Sequence, residues 1–355
     1  MKVLSVVGAR PQFVKLAPVH RALISGDEHT ILHTGQHYDP LLSESFFREL
    51  SIPEPTINLD VGSGSHAVQT ARILEAIEPA IVSVKPDCVL VYGDTNSTLA
   101  AAIAAVKLGV PVVHLESGLR SRNRHMPEEH NRVLTDHASD LCLAPSQEAM
   151  KNLVSEGLED KSVFVGDVML DILLDTLDQL GIKLSEDPGP SDAEYLSTIH
   201  RQENTDDPVP LEAVLSCLGR LDRPVKLLTH PRLESKMVQA NLKESSFPAI
   251  QFVPSLPYPE LLAALASAPG LITDSGGLQK EAYFVKTRCV TLRNETEWPE
   301  TVELGWNALL EPNPTQVVKF FELTNPVTLD TKPYGDGNAA QLAVSAIRNW
   351  IGSRS

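Results

Sequence analysis

Short runs of Val, Ile and Leu alternate along the chain with longer stretches whose apolar residues recur at helical spacing. Val3–Val7, Thr30–His33, Cys88–Tyr92, Pro111–Leu115 and Leu141–Ala144 read as strands. Between them, Phe13–Ile24, Leu41–Leu50, Ala67–Val84, Ser97–Leu108, Glu128–Ala138 and Glu148–Glu156 read as helices. Strands that are apolar on both faces and joined by crossover helices predict a parallel sheet covered on both sides. The alternation breaks at Gly181–Asp192, GIKLSEDPGPSD, an acidic, Pro- and Gly-rich linker or loop. It restarts with strands at Tyr195–Ile199, Val225–Thr229, Ile250–Val253, Leu271–Thr273 and Cys289–Leu292. A last amphipathic helix, Asn338–Ile351, has the pattern to return and pack on the first domain. The expectation is an α/β chain of two Rossmann-like, doubly wound parallel-sheet domains facing a cleft. Residues 1–168 plus 338–355 form the first and 169–337 the second.

A length of 355 residues suits two domains. With 30 Lys plus Arg against 46 Asp plus Glu, the net charge is −16. That argues against nonspecific nucleic-acid binding and against docking on anionic membrane, so neither is expected as a partner. It leaves an anionic small ligand open, because a local basic pocket can oppose the global sign. Cys88, Cys142, Cys217 and Cys289 form no CxxC or Cys/His spacing. No metal site and no disulfide framework is expected, only reduced, buried thiols in a cytoplasmic protein. The opening MKVLSVVGARPQF is too short for a signal peptide and reads as a buried strand. No apolar run reaches the roughly 18 residues of a membrane span.

Ligands of doubly wound sheets sit at the carboxyl ends of strands, near the switch point. The polar motifs fall there. Gly8-Ala9-Arg10-Pro11 follows the first strand and opens a helix, whose N–H groups, with Arg10 and Lys15, favour an anion. A plain strand–helix turn with solvated charges is the alternative. Asp94 ends a buried strand, and Glu116 ends the next, so the two carboxylates should be neighbours and raise each other's proton affinity. The alternative for Glu116 is an ion pair with Arg120 or Arg122. In Met126-Pro127-Glu128-Glu129 the glutamates fit a first helical turn, and spacing does not say which faces the cleft. In the second half, His200-Arg201 and His230-Pro231-Arg232 follow strands and suit phosphate, or are surface histidines. Ser275-Gly276-Gly277 lets backbone N–H groups approach a diphosphate, and Glu281, six residues past Ser275, suits a ribose diol. Carboxylates in one half and phosphate and diol ligands in the other imply a sugar nucleotide.

The motifs GARPQFVK, HTGQHYD, VYGDTNSTLAA, HLESGLRS, MPEEHNRVLTDH, GDVMLD, TIHRQENTD, THPR, DSGGLQKEAYF and TLRNETEWPETVE run nearly end to end. In that order they resemble the non-hydrolysing UDP-N-acetylglucosamine 2-epimerase family, which has the glycosyltransferase-B fold. Gln12-Phe13, YGDTNST, TIHRQENTDDP, QKEAYF and Thr296-Glu297-Trp298 are similar to a branch acting on UDP-2,3-diacetamido-2,3-dideoxy-glucuronate. The resemblance implies a cofactor-free inversion at C2 of a UDP-2-acetamido sugar. UDP leaves to give a 2-acetamidoglucal and adds back after protonation of the opposite face. Carried over by motif, Asp94, Glu116 and Glu128 move protons or stabilise an oxocarbenium ion. Arg10, Lys15 and His200 face the diphosphate, Ser275, Gly276 and Gly277 hold phosphate, Glu281 the ribose and Arg293 the uridine side. Gln36, Arg72, Arg201 and His230 match parts of a second, activating site found in some members, from which Tyr38-Asp39 departs. Ser117 stands where alanine is usual, and its hydroxyl is expected to hydrogen-bond Glu116. Lys280 is a candidate cation for a C6 carboxylate. A homodimer is implied. The competing readings are a hydrolysing 2-epimerase, a glycosyltransferase of the same fold and a noncatalytic UDP-sugar sensor.

Overall fold

The computed structural model describes residues 1–23, 26–36, 52–184, 193–323, 326 and 332–354, with only the backbone of Arg10. The expected helix Leu41–Leu50 lies outside the described residues, as do Tyr38, Asp39 and residues 185–192 of the linker. The chain divides into two compact units, Met1–Ile172 with Lys332–Ser355, and Leu173–Thr331.

In the first unit, β1 (Lys2–Val7), β2 (Glu28–His33), β3 (Ile57–Asn58), β4 (Cys88–Tyr92), β5 (Val112–Leu115), β6 (Leu141–Ala144) and β7 (Ser162–Phe164) build one sheet. Its order is β3-β2-β1-β4-β5-β6-β7, with every pairing parallel. The period of two divides each strand between two apolar layers. Cys88, Leu90 and Tyr92 of β4 face a core shared with the helix Arg10–Leu23, while Val89 and Val91 face a core under the helices His66–Val84 and Asn96–Lys107. The order reverses between β1 and β4, so the crevice at their carboxyl ends is the switch point.

The C-terminal helix, Ala339–Gly352, belongs to this unit. Ala339, Ala340, Ala343, Val344 and Ile347 join the same core as the first helix. Its N-terminus has no cap from Asn338. Instead Asp171, far away in sequence, accepts from the backbone N–H groups of Ala339 at 3.0 Å and Ala340 at 2.7 Å. A carboxylate there satisfies two orphan donors and meets the positive end of the helix dipole.

The second unit repeats the plan with β8 (Tyr195–Thr198), β9 (Val225–Thr229), β10 (Ile250–Pro254), β11 (Leu271–Thr273), β12 (Cys289–Thr291) and β13 (Asn307–Leu309). The order is β10-β9-β8-β11-β12-β13, again all parallel. Its switch point lies between β8 and β11. Three strands escape the sequence reading: β3, β7 and β13 have two or three residues each and, unlike the equally short and wholly buried β11 and β12, are partly exposed, so no continuous apolar run marks them. All four cysteines are free and buried.

Candidate active site

In the first unit the side chains converge at the carboxyl ends of β1, β4 and β5. Gly8 is required there by packing: a Cβ would fall 2.2 Å from both Ser97 Oγ and Thr34 Oγ1. Gln12 is wholly buried and its amide oxygen accepts from the N–H groups of Gly8 at 2.8 Å and Ala9 at 3.0 Å. Its amide nitrogen donates to the Tyr92 carbonyl at 2.7 Å and to Thr98 Oγ1 at 3.1 Å. This narrows the expected anion cradle at Gly8–Pro11 to the backbone N–H of Arg10. Two of its donors are taken by Gln12, and Pro11 has none to give. The side chain of Arg10 lies outside the described residues.

Lys15, from the same helix, turns onto Glu116, with which it forms a close ion pair. Burial works against the Lys15 charge, but Glu116 and Asp94 outweigh it and hold the ammonium above its usual range. Asp94 is in turn gripped by Arg132, through Nε at 2.9 Å and Nη2 at 2.6 Å. The neighbouring carboxylates are therefore interleaved with two cations, rather than bare as the sequence suggested. Glu116 does make an ion pair, but not with the arginines considered. Arg120 binds Asp136 and Glu156, and Arg122 donates to Asn152.

The backbone is strained where these groups meet. Glu116 has φ +73° and Gly93 has φ +61°. A non-glycine residue in the left-handed region costs about 1–2 kcal/mol and persists only where its surroundings impose it. A Cβ at Gly93 would sit 3.0 Å from Glu116 Oε2 and 3.3 Å from Lys15 Nζ, so the turn leaves room for that ion pair. Ser117 does not reach Glu116 as expected. Its hydroxyl donates backward to the His114 carbonyl at 2.6 Å.

Pro127 opens the helix Pro127–Ala138, and the two glutamates behind it divide their work. Glu129 is buried and accepts from the N–H groups of Ser121 and Arg122, each at 2.8 Å, and from Arg132 at 3.2 Å. It closes the loop 121–126. Glu128 stays half-exposed and has no hydrogen-bond or ion-pair partner among the described residues. Of the second-site candidates in this unit, Gln36 is buried, its amide oxygen accepting from Ser97 N at 3.1 Å and Ser97 Oγ at 2.6 Å. Arg72 is exposed on the helix His66–Val84.

In the second unit, Asp274 organises the carboxyl edge of the sheet. Fully buried after β11, it accepts from the backbone N–H of His200 at 3.0 Å, Arg201 at 2.9 Å and the Asn204 amide at 3.1 Å. His200 Nδ1 lies 3.3 Å from the same carboxylate. Burial pulls His200 below its usual value, against Asp274 and with the help of Arg201, His230 and Arg232. His200, Arg201 and His230 thus share one basic rim. Ser275 caps the helix Gly276–Phe284. A Cβ at Gly277 would touch nothing, so no packing inside the unit demands glycine there, and the space above its backbone is open. A Cβ at Gly276 would lie 3.3 Å from Arg201 Nη2, which places Arg201 against the same turn. The Gly276 carbonyl accepts from the Trp298 indole at 2.9 Å.

Glu281 is buried on that helix. Arg293 is buried and its guanidinium meets Glu297 at 3.1 and 3.2 Å. Lys280 is 2% exposed with Nζ 3.8 Å above the Trp298 ring. A cation stacked under the Ser-Gly-Gly turn supports that turn, which corrects its reading as an open ammonium for a carboxylate. No cluster of His, Cys, Asp and Glu among the described residues has the arrangement of a metal site, and no described helix is long and apolar enough to cross a membrane. The sequence alone assigns no role to Gln12, Arg132, His114, Asp136 or Asp274. Each stands one to eight positions from a candidate, but only the fold gives it a partner.

Residues 24–348 match the family profile described as UDP-N-acetylglucosamine 2-epimerase. The chain is 42% identical over 350 residues to the Pseudomonas aeruginosa UDP-2,3-diacetamido-2,3-dideoxy-D-glucuronate 2-epimerase, covering 96% of this chain and 97% of that one. It is 39% identical over 364 residues to the Methanocaldococcus jannaschii UDP-N-acetylglucosamine 2-epimerase, covering 97% and 98%. The crystal structure of the M. jannaschii UDP-GlcNAc 2-epimerase in complex with UDP-GlcNAc and UDP superimposes with a TM-score of 0.88, at 37% identity, over 98% of this chain and all of that one. A lipopolysaccharide outer core galactosyltransferase, 12% identical with a TM-score of 0.55 over both whole chains, shares the fold alone. The two parallel-sheet units are those of the glycosyltransferase-B fold.

Proposed function

Because the chain belongs to the UDP-N-acetylglucosamine 2-epimerase family, we propose that it inverts C2 of a UDP-2-acetamido sugar without hydrolysing it. The substrate is UDP-GlcNAc or its 2,3-diacetamido-glucuronate derivative. The observation that carries the reading is the ion pair of Glu116 with the partly buried Lys15, whose charge is also supported by Asp94 at the end of the neighbouring strand.

The C2 hydrogen has no adjacent carbonyl, so loosening of the C1–O bond leads. UDP departs with the bonding electron pair, a carboxylate takes the C2 proton, and a 2-acetamidoglucal forms. A second carboxylic acid then protonates C2 from the other face as UDP adds back to C1. Two proton-transfer groups and one departing diphosphate, which gains a negative charge as it leaves, must be served. Asp94, Glu116 and Glu128, which has no partner among the described residues, supply the carboxyl groups, and Lys15 pairs with Glu116 as a counter-ion that Asp94 also attracts. His200 and the Ser275-Gly276-Gly277 turn receive the diphosphate, the two glycines through their N–H groups, since the Ser275 N–H already donates to Thr273 Oγ1 at 3.0 Å. Stabilising that diphosphate is a large share of the rate. Glu281 takes the ribose and Arg293 the uridine side. Gln36, Arg72, Arg201 and His230 remain candidates for a second UDP-sugar site, and a homodimer is the assembly proposed.

The test is incubation of the purified chain in heavy water with each UDP-sugar in turn, followed by NMR. Deuterium at C2 and a gluco/manno mixture are expected. Accumulation of free UDP and a reducing sugar identifies hydrolysis instead, and glycosyl transfer without C2 exchange identifies a transferase. Asp94→Asn and Glu116→Gln should each lower kcat by about 10²–10⁴-fold while UDP binding persists. Unchanged turnover in either removes that residue from the mechanism.

A further inference from the structure

One fully buried group in the first unit is left unused by the mechanism above. His114 on β5 is 0% exposed, and so is Asp136 on the helix Pro127–Ala138. His114 Nε2 lies 2.7 Å from the Gly93 carbonyl, which can only accept, so this nitrogen carries the hydrogen and donates. Its other nitrogen lies 2.6 Å from Asp136 Oδ1. The second Asp136 oxygen accepts from the Gly118 N–H at 3.0 Å and from Arg120 at 2.7 Å. Arg120 is locked beyond that by a two-pronged bond to Glu156 at 2.8 and 2.7 Å. Burial alone would raise the Asp136 carboxyl, but His114 and Arg120 prevail and hold it below its usual range.

The ends of this brace are two turns. One is Gly93, at φ +61°, immediately before Asp94, and its own N–H already donates to the Leu115 carbonyl at 3.0 Å. The other is Gly118, two residues after Glu116, which itself holds φ +73°. The two glycines adopt a positive φ freely, but Glu116 does not and needs its surroundings to hold it there. A single buried pair therefore fixes the backbones that carry both carboxylates.

We propose that His114 and Asp136 are positioning residues. Through the Gly93 carbonyl and the Gly118 N–H they set the spacing of Asp94 and Glu116 across the reacting sugar carbon. The inference rests on the epimerase reading and deepens it. Neither residue touches substrate. Misplacement of a reacting group by about 1 Å costs on the order of 10²-fold in rate, so the effect belongs in kcat.

Glutamine and asparagine at position 114 separate the contacts. The amide nitrogen of Gln reaches the place of Nε2 and keeps the donor to Gly93. That of Asn falls at the place of Nδ1 and loses it. His114→Gln should restore most of the turnover lost in His114→Asn, which should fall about 10–100-fold in kcat with KM and UDP affinity within about twofold. Both are compared at a temperature where circular dichroism finds each fully folded. Should the Asn form fail to fold, Asp136→Asn decides. Its amide oxygen still accepts from Gly118 and Arg120, and His114 still donates to Gly93, so kcat should stay within about fivefold. An active wild type whose Gln and Asn forms turn over alike, or an Asp136→Asn form that is folded but 10²-fold slower, overturns this inference alone. A wild type that exchanges no C2 hydrogen with either UDP-sugar overturns the functional reading and this inference with it.

Discussion

Replacing His29 by leucine should remove an acid-sensitive element from the first unit. His29 Nδ1 and His20 Nδ1 face each other at 2.8 Å, with ring centroids 5.1 Å apart. One hydrogen serves that contact, and two cations would face each other once both rings are protonated. His29 Nε2 lies 2.8 Å from Ser5 Oγ, which lies 2.8 Å from the Tyr92 hydroxyl, so this edge of the half-buried ring faces the core of the sheet. Burial, then the charge of His20, outweigh the opposing pull of Asp27 and lower His29 to about 4. His20 is lowered too, by burial and by Arg21. The unfolded chain protonates His29 near 6.5, the native chain near 4, so between those values the unfolded state binds the extra proton. Stability is therefore intact above pH 6.5 and falls as pH drops toward 4. At about 1.4 kcal/mol per pH unit, the loss over that window is about 3 kcal/mol, a large part of a domain's margin. In His29→Leu, Ser5 keeps Tyr92 as its partner, and His20 is half-exposed to water. The variant should lie within about 1 kcal/mol of wild type at pH 7.5 and be about 2 kcal/mol more stable at pH 4.5. Urea unfolding read by hydrogen exchange in peptides from β1, β2 and β4 isolates the first unit. Parallel pH dependences for the two proteins between pH 4.5 and 6.5 would refute the reasoning.

Gly93→Ala should cost about 1–2 kcal/mol for its φ of +61° and press on Lys15 and Glu116, lowering kcat far more than UDP affinity, as steady-state kinetics and calorimetry would read. Asp274→Asn leaves the two backbone donors of His200 and Arg201 a weaker acceptor. It should destabilise the second unit by about 1–3 kcal/mol and weaken UDP binding, which calorimetry and urea unfolding measure. Asp171→Ala removes the acceptor for Ala339 and Ala340 and should cost about 1–2 kcal/mol, visible as a lower urea midpoint for the first unit.

The two-unit α/β plan is legible because each long strand is apolar on both faces, and a four- to six-residue apolar run survives without any knowledge of its neighbours. Asp94 and Glu116 are legible for the same reason: each is the first carboxylate after such a run. What sets their surroundings is not. Lys15 meets Glu116 across 101 positions, and Asp94 meets Arg132 across 38, distances over which no local pattern operates. Gln12 illustrates the cost. Four residues from Gly8, it reads as an ordinary helix residue, yet its buried amide takes the N–H groups that the sequence offered to an anion. Lys280 likewise reads as an exposed cation until Trp298 is found beneath it. Glu128 and Glu129 are indistinguishable by propensity, and only the loop that Glu129 closes separates them.

The grip of Asp171 on the helix Ala339–Gly352 bears on how the molecule is made. The first unit contributes its core from both ends of the sequence, with the second unit inserted between. On the ribosome, residues 1–172 emerge early but must wait, with one flank of their sheet bare, until residue 352 has been translated. The inserted unit is synthesised whole in the meantime and is free to fold first. Nascent chains halted before 339 should therefore carry a protease-resistant second half and a first half in need of a chaperone.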